Sequence, residues 1–290
     1  EQYDAVLIAI GAWKASGLNC PGEEMEGVLG GIDFLRDVNE GKIPDLGKNV
    51  AVVGGGNTAM DACRSAVRCG AENVYVIYRR TREQAPAEDM EIEDAIEEGV
   101  TFKWLTNPAE IIGEDGKVTA VKLQIMELGE PDASGRRRPV AVEGAFETLP
   151  VDTVISAIGQ KAVLDGFEDV EVNDWGWLAA AEGTGRTNLE GVFAAGDVTN
   201  SGASIAIEAI GEGDDAALAI DAYLNDYDLP SFKPYWSKTV KTPEDFADVE
   251  KKQRAEMPKV APQERAHTFE EVIKGFNDEE ARAEAQRCLK

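Results

Sequence analysis

The first 228 positions alternate between short, nearly continuous apolar runs and stretches with helical periodicity. An almost wholly apolar run is typical of a strand that is buried on both faces of a parallel sheet. The predicted strands are Tyr3–Ile10, Asn49–Val53, Val74–Tyr78, Val118–Met126, Arg138–Val142, Val151–Ile158 and Gly191–Ala195, and the predicted helices are Thr58–Cys69, Met90–Glu98 and Ser204–Tyr223. Strands that alternate with helices in this way predict an α/β body with parallel sheets.

The pattern changes near Leu229. Beyond it, prolines recur at positions 230, 234, 243, 258 and 262, and no long apolar periodicity returns before Phe269. We therefore place a domain boundary near Leu229 and predict an extended tail over residues 229–290, with a last helix from about Thr268 to Leu289. The tail carries equal numbers of acidic and basic residues, so the net charge of the chain belongs to the α/β body.

Composition narrows the classes of function. The 290 residues include 29 Lys plus Arg against 55 Asp plus Glu, a net charge of −26, which argues against nucleic acid and membrane surfaces as partners. No apolar run is long enough for a membrane span, no signal peptide is recognisable, and four cysteines do not indicate a disulfide scaffold, so we expect a cytoplasmic protein. A single histidine, His267, argues against histidine triads and multi-histidine metal sites, and no metal site is predicted.

The most informative motif follows the strand Asn49–Val53. The run Gly54-Gly55-Gly56-Asn57-Thr58-Ala59 has the spacing G-x-G-x-x-A and lies between a predicted strand and a predicted helix. In such a turn the first glycine permits a tight bend, the second lets the backbone approach a pyrophosphate, and the helix N-terminus at Asn57 and Thr58 faces the anion. The motif predicts a dinucleotide site. The alternative is a glycine-rich turn that binds nothing.

A second run with the same spacing, Gly211-Glu212-Gly213-Asp214-Asp215-Ala216, serves as an internal control. No strand precedes it, it lies inside a helical pattern, and its three acidic residues would repel a pyrophosphate. We therefore predict no nucleotide binding there.

The end of the next strand discriminates between the two nicotinamide cofactors. An acidic residue there would hold the adenosine 2′-hydroxyl of NAD, but Val74–Tyr78 is followed by Arg79, Arg80 and Arg82. Guanidinium groups suit a 2′-phosphate because they form bidentate, charge-assisted hydrogen bonds. We therefore favour NADPH over NADH. The alternative is a solvated basic cluster that balances the acidic helix predicted next.

A second distinctive stretch, T-N-L-E-G-V-F-A-A-G-D over residues 187–197, ends a short apolar strand in Gly196 and Asp197. A long helix then opens at Ala203 and Ser204. A carboxylate just beyond a strand can accept hydrogen bonds from a ribityl hydroxyl, and the helix N-terminus can face phosphates or a flavin carbonyl. The alternative is a plain turn.

These motifs resemble those of a known family. The T-x-x-x-G-V-F-A-A-G-D pattern resembles the second FAD fingerprint of two-dinucleotide-fold flavoproteins, and Tyr3–Gly11 and Asp152–Gly159 resemble the strand-to-glycine connections that link their FAD and NADP domains. Over residues 1–228, the order of GGGNTAMDACRSAVRCGAENVYVIYRR, EQAPAEDMEIEDAIEEGV, NDWGWL and GVFAAGDVTNSGAS resembles the glutamate synthase small-subunit family, which includes the flavin half of dihydropyrimidine dehydrogenase.

The resemblance implies an α/β fold of the two-dinucleotide-binding-domain flavoprotein type, with a complete NADP Rossmann-like domain inserted in an incomplete FAD domain. Residues 1–46 would be part of the FAD domain and a linker, 47–158 the NAD(P)H-binding domain, and 159–228 the C-terminal part of the FAD domain. We expect the family's own FAD-phosphate motif to precede Glu1, with an iron–sulfur region earlier still. The end of the chain, around Cys288, resembles the segment that enters a cysteine-rich iron–sulfur region.

The resemblance also implies the site residues and the activity. Gly54, Gly56, Asn57, Thr58, Arg79 and Arg80 would hold NADPH and Asp197, Ala203 and Ser204 would touch FAD, and the candidate cofactor site further includes Gly55, Arg82, Gly159 and Gly196. The implied function is to pass electrons from NADPH through FAD to iron–sulfur centres on a ferredoxin-like segment or subunit, with a large amidotransferase or synthase subunit as a further partner. Such hydride chemistry needs no general base from the protein.

Two other functions stay open at this point: a module that binds NADP(H) without turnover, and a ferredoxin-type oxidoreductase that uses NADH. A dithiol reductase is unsupported because the sequence contains no C-x-x-C. Cys63 and Cys69 lie six positions apart on one predicted helix, and we interpret both as small core residues.

Overall fold

The computed structural model describes residues 3–131, 135, 137–199, 205–229, 242–248 and 252–287. These residues form two compact units, Glu1–Tyr227 and Asp228–Lys290, which are described separately below. In the ranges described, no helix is both long and apolar enough to cross a lipid bilayer.

The first unit alternates strands and helices, as its apolar pattern predicts. Its strands are β1 (Val6–Ile8), β2 (Lys14–Ala15), β3 (Val28–Gly30), β4 (Asn49–Val53), β5 (Asn73–Tyr78), β6 (Thr101–Trp104), β7 (Thr106–Glu114), β8 (Lys117–Pro131), β9 (Arg137–Pro150), β10 (Thr153–Ser156), β11 (Gln160–Lys161) and β12 (Val192–Ala194). Its helices are α1 (Gly31–Asn39), α2 (Asn57–Arg68), α3 (Asp89–Glu97) and α4 (Ala206–Leu224).

A five-stranded parallel sheet in the order β3-β10-β4-β5-β6 forms the centre of this unit. Successive side chains of a strand point to opposite faces of its sheet. In β4, Val50 and Val52 therefore pack in a core with residues of α1, α2 and α3, whereas Ala51 and Val53 belong to a second core on the opposite face. Burial on both faces explains why this strand reads as an unbroken apolar run.

The second face of the central sheet is covered by an antiparallel sheet in the order β7-β8-β9. The predicted strands Val118–Met126 and Arg138–Val142 are present within β8 and β9, which both extend further, while β6 and β7 were not predicted. In β7, Pro108 adjoins a register shift that breaks the regular alternation. Most of β9 lies outside the core, so its polar positions carry no alternation that marks a strand.

Two smaller sheets complete the first unit. Strands β1 and β12 pair in parallel, and β2 and β11 pair antiparallel. Helix α4 packs beside β12, where the rings of Phe193 and Tyr223 meet edge to face at 6.0 Å. The run Gly211–Ala216, for which we predicted a position inside a helix and no nucleotide binding, lies inside α4.

A buried ion network joins α2 to the end of α3. Glu98 follows α3, and none of its side-chain surface is exposed. Its carboxylate accepts hydrogen bonds from Nη2 and Nε of Arg64, at 2.6 and 3.0 Å, and lies 3.0 Å from Nη1 of Arg68. Asp94 adds a longer contact of 3.7 Å to Arg64. The hydrogen bonds and ion pairs of this network compensate the four charged side chains for the hydration that they lose on burial.

This network predicts a loss of stability in acid. Burial raises the pKa of Glu98, but hydrogen bonds and charges from Arg64 and Arg68 outweigh it and hold the pKa below its ordinary value of 4.5. A carboxylate whose pKa is lower in the folded state than in the unfolded state stabilises the fold at pH values above its unfolded-state pKa. This stabilisation is lost as the pH falls through the folded-state pKa. Urea unfolding of wild type and Glu98→Gln from pH 7 to pH 3 should therefore show a difference that shrinks below about pH 4.5. A difference independent of pH would contradict this assignment.

In the described part of the second unit, the α-helices are α5 (Pro262–Arg265) and α6 (Asp278–Ala285), and Pro243–Phe246 form a short 3₁₀ helix. The prediction of a helix from Thr268 to Leu289 is wrong at its start, because α6 begins ten residues later; Leu289 lies outside the described residues. Ile273 instead pairs with Lys259 in an antiparallel bridge. Asn277 supplies the true N-cap: its side chain accepts from the N–H groups of Glu279 and Glu280.

Candidate nucleotide-binding site

The glycine turn, defined here as Gly54–Gly56, lies at the carboxyl end of β4 in the middle of the parallel sheet. The N–H of Gly54 donates to the carbonyl oxygen of Ile77 at 3.0 Å, which anchors the turn to β5. Gly54 has a φ of +149°, and a Cβ there would lie 2.3 Å from the carbonyl oxygen of Ala157. Both the conformation and the space therefore require glycine at this position.

Gly56 has a different reason to be glycine. Its φ of −99° is accessible to any residue, and the nearest atom to a Cβ would be Cγ of Pro86 at 3.7 Å. The missing side chain therefore leaves open space directly at the start of α2. The first turn of α2 carries no acidic residue, while Ala59 is fully buried and brings the helix close to β4. An anion can thus approach the backbone N–H groups of this helix N-terminus closely.

A cavity of about 580 Å³ opens over the glycine turn. Of the predicted site residues, it is lined by Gly54, Gly55, Gly56, Asn57, Thr58, Arg79, Arg80, Gly159 and Asp197. The structure thus brings together residues that are widely separated along the chain. Ala203 and Ser204 lie outside the described residues.

The three arginines after β5 point to different places. Arg79 is exposed and lines the cavity, as does Arg80, whose Nε donates to the carbonyl oxygen of Arg137 at 3.0 Å. Arg82 does not line the cavity: its guanidinium contacts Glu93 at 3.0 Å and Asp89 at 3.5 Å. The geometry therefore fits a phosphate-binding role for Arg79 and Arg80, and fits the charge-balancing alternative for Arg82.

The second predicted turn, Gly196-Asp197, is held by a residue that the sequence pattern assigned to no site. Glu212 of α4 accepts a hydrogen bond from the N–H of Gly196 at 2.7 Å and another from the hydroxyl of Thr199 at 3.1 Å. Asp197 itself reaches the cavity above the glycine turn, whereas Gly196 does not line it. Glu212 fixes the backbone that presents Asp197.

Other lining residues also carried no signal in the sequence. These residues include Tyr78, Pro86, Asn107, Gln160 and Ile205. Asn107 belongs to β7, a strand that the pattern did not predict.

A second cavity of about 640 Å³ lies beside α4 and is lined by Gly183, Gly185, Thr199, Glu208, Glu212 and Asp215, among others.

The described cysteines do not form a redox pair. Cys63 is fully buried in α2, and burial raises the pKa of its thiol to about 12. Burial also raises the pKa of Cys20 and Cys69. All three are free thiols, and at neutral pH they are protonated and poor nucleophiles. The core role predicted for Cys63 is confirmed, and Cys69 is partly buried and packs against the same core.

A parallel sheet, a glycine turn at the end of its central strand and a helix N-terminus beside that turn define the first unit as a dinucleotide-binding fold. Comparison with family models then identifies the family. Residues 1–213 match the pyridine nucleotide-disulphide oxidoreductases, and the chain belongs to this family.

Individual relatives agree. The chain is 42% identical to the beta subunit of an NADP(+)-dependent formate dehydrogenase from Moorella thermoacetica, in an alignment that covers all of this chain and 42% of the relative. It is 42% identical to a putative glutamate synthase [NADPH] small chain from Cereibacter sphaeroides, over 77% of this chain and 57% of the relative. The resemblance to the glutamate synthase small-subunit family is thereby confirmed. The chain spans about half the length of these curated relatives.

The fold has a counterpart among solved structures. FprA of Mycobacterium tuberculosis in complex with NADPH superposes with a TM-score of 0.66 over 78% of this chain and 65% of that chain, at 22% identity. At this identity the likeness concerns the fold alone. Together with the family match, it confirms the predicted α/β fold with two dinucleotide-binding domains.

Proposed function

We propose that this chain is the NADP(H)-binding part of a flavin oxidoreductase that moves electrons between NADPH and iron–sulfur centres by way of FAD. The observation that carries the proposal is the shared cavity: the glycine turn, Arg79 and Arg80 form one part of its wall, and Asp197 of the second turn forms another. One cavity lined by both turns lets a nicotinamide and a flavin meet. When bound, these cofactors supply the hydride and electron transfer.

The residues of this chain would bind and orient the two cofactors. The open position at Gly56 and the N-terminus of α2 would accept the pyrophosphate of NADP(H), and Arg79 and Arg80 its 2′-phosphate. Asp197, held by Glu212 through Gly196, would accept hydrogen bonds from the ribityl chain of FAD. We assign residues 47–158 to the NAD(P)H-binding domain, and 1–46 and 159–228 to the FAD domain.

The names of the relatives support a proposal for the partner. One is named as a beta subunit of a formate dehydrogenase and another as a small chain of glutamate synthase, so both belong to enzymes of several subunits. The alignment to the first covers the whole chain, whereas the alignment to the second leaves part of it out. We therefore propose an iron–sulfur segment or subunit of a dehydrogenase as the electron partner, and an amidotransferase or synthase subunit as the second candidate.

The test is spectroscopic. The natural protein that contains these 290 residues should show flavin absorbance that NADPH bleaches under anaerobic conditions, and calorimetry should give tighter binding of NADPH than of NADH. Nucleotide binding by a protein without flavin absorbance would favour the non-catalytic binding module instead. A protein that neither binds NADPH nor carries flavin would refute the proposal.

Gly56→Ala should separate nucleotide binding from folding. The added Cβ meets nothing closer than 3.7 Å in the protein, so the midpoint of thermal unfolding should stay unchanged. It would occupy the space through which a pyrophosphate approaches, and we expect both NADPH and NADH to bind about tenfold more weakly. Calorimetric titration measures this effect.

Gly213→Ala is the matched control for Gly56→Ala. Gly213 lies in α4, and a Cβ there would have no atom within 4 Å. Its replacement should leave the affinity for both nucleotides unchanged. Equal loss of binding in the two variants would show that the effect of Gly56→Ala does not arise at the glycine turn.

A further inference from the structure

We propose that Tyr78 is a positioning residue that fixes the distance between the glycine turn and the arginine segment, defined here as residues 79–84, and that it thereby determines the preference for a 2′-phosphorylated nucleotide. The inference rests on the proposed function. Tyr78 is the last residue of β5 and is 8% exposed. It lines the same cavity as the glycine turn, which would bind the pyrophosphate, and as Arg79 and Arg80, which would bind the 2′-phosphate.

The ring of Tyr78 lies directly against Gly55 of the glycine turn. A Cβ at Gly55 would lie 2.6 Å from both Cδ2 and Cε2 of this ring. The middle residue of the turn is therefore glycine because the tyrosine ring fills the space of its side chain. The carbonyl oxygen of Gly55 also accepts a hydrogen bond from the N–H of Ala87 at 3.0 Å, which ties the turn to the chain just beyond the arginine segment.

The hydroxyl of Tyr78 holds the far end of the arginine segment. It donates to the carbonyl oxygen of Gln84 at 2.9 Å. Near the other end of the segment, the N–H of Leu105 donates to the carbonyl oxygen of Arg80 at 3.1 Å. Leu105 has a φ of +53°, a strained conformation for a leucine, so this contact is maintained at a cost in backbone energy. The carbonyl oxygens of Arg80 and Gln84 are thus both held by neighbouring residues, and Tyr78 supplies the contact to Gln84.

Neighbouring aromatic rings limit the movement of Tyr78. Trp104 of β6 meets it edge to face, with ring centroids 6.1 Å apart and planes at 85°. Trp104 is itself stacked on Phe102 at 4.7 Å. The tyrosine ring therefore has a fixed place from which its hydroxyl sets the position of the arginine segment relative to Gly55.

This arrangement affects NADPH and NADH differently. Both nucleotides have the pyrophosphate that the glycine turn would bind, but only NADPH has the 2′-phosphate that Arg79 and Arg80 would bind. If the hydroxyl of Tyr78 no longer holds Gln84, the arginines are less well placed relative to the turn. The affinity for NADPH should fall and the affinity for NADH should not.

The first variant removes only the hydroxyl. Tyr78→Phe should weaken NADPH binding about threefold to tenfold, the range of a single hydrogen bond, while NADH binding changes less than about twofold. Tyr75→Phe, on the same strand, is the control and should leave both affinities unchanged. A purely structural role of the hydroxyl would instead lower the affinity for both nucleotides equally, and that result would overturn the inference.

A second pair of variants tests the ring. Gly55→Ala should weaken binding of both nucleotides, because the new Cβ collides with the ring and displaces the turn. Adding Tyr78→Ala removes the collision, so NADH binding should recover, whereas the preference for NADPH should not, because the hydroxyl is also gone. Failure of the double variant to recover NADH binding would overturn the role of the ring.

The wild-type protein distinguishes this inference from the proposed function. Wild type that binds neither nucleotide refutes both. Wild type that prefers NADPH, with an unchanged ratio of affinities in Tyr78→Phe, overturns only the role of Tyr78.

Discussion

Glu98→Ala should lower the free energy of unfolding by about 3–5 kcal/mol, the usual cost of removing one partner from a buried ion pair. The substitution leaves the guanidinium groups of Arg64 and Arg68, whose side chains are only 18% and 8% exposed, without the carboxylate that both contact. Asp94 would remain, but at 3.7 Å from Arg64 it replaces little of what is lost. Urea denaturation followed by far-ultraviolet circular dichroism measures the change.

A surface ion pair provides the control for Glu98→Ala. Glu72 lies 2.8 Å from Lys48, and both side chains are more than half exposed. Exposed pairs of this kind contribute about 0–1 kcal/mol, so Glu72→Ala should barely move the unfolding midpoint. A similar loss in both variants would mean that burial of the Glu98 network adds nothing to stability.

Glu98→Ala should also weaken nucleotide binding. Helix α2 begins at the nucleotide cavity, and the variant loosens the contact between α2 and the end of α3.

Some features were predictable from the sequence because their cause is local. The backbone conformation of the turn itself requires glycine at position 54. The motif around it predicts a dinucleotide-binding fold when a strand precedes it and a helix follows it. Strand β4 was predicted with its observed ends because burial on both faces leaves a continuous apolar run. The position of Arg79 and Arg80 in the wall of the cavity follows from their place directly after β5.

Other features depend on contacts between distant parts of the chain. In the sequence, Glu212 is one of three acidic residues in the run Gly211–Ala216, and only the packing of α4 against the turn at Gly196 shows what it holds. The role of the ring of Tyr78 depends on the register of β4 against β5, which places it beside Gly55. The error at the start of α6 has the same origin. Residues before Asn277 have helix-compatible spacing but form a bridge to Lys259 instead.

Replacing Arg79 and Arg80 together with alanine should reduce the affinity for NADPH by about 10²- to 10⁴-fold and change that for NADH by less than about threefold. Each hydrogen-bonded contact to a charged group contributes about 1.5–3 kcal/mol, and each 1.4 kcal/mol changes the affinity tenfold. Both arginines line the cavity, and neither belongs to the glycine turn that would bind the pyrophosphate of either nucleotide. Calorimetric titration with both nucleotides measures the two affinities on the same protein.

Arg82→Ala is the matched control, and it decides between the two interpretations of the basic cluster. Its guanidinium contacts Asp89 and Glu93 rather than the cavity, so its removal should leave NADPH binding nearly unchanged. An equal loss of NADPH and NADH binding in the double variant would refute the 2′-phosphate role of Arg79 and Arg80. A loss for Arg82→Ala as large as for the double variant would show that the whole cluster acts through its net charge. Retained preference for NADPH in Arg82→Ala, and its disappearance in the double variant, would place cofactor selection at the two residues that directly follow β5.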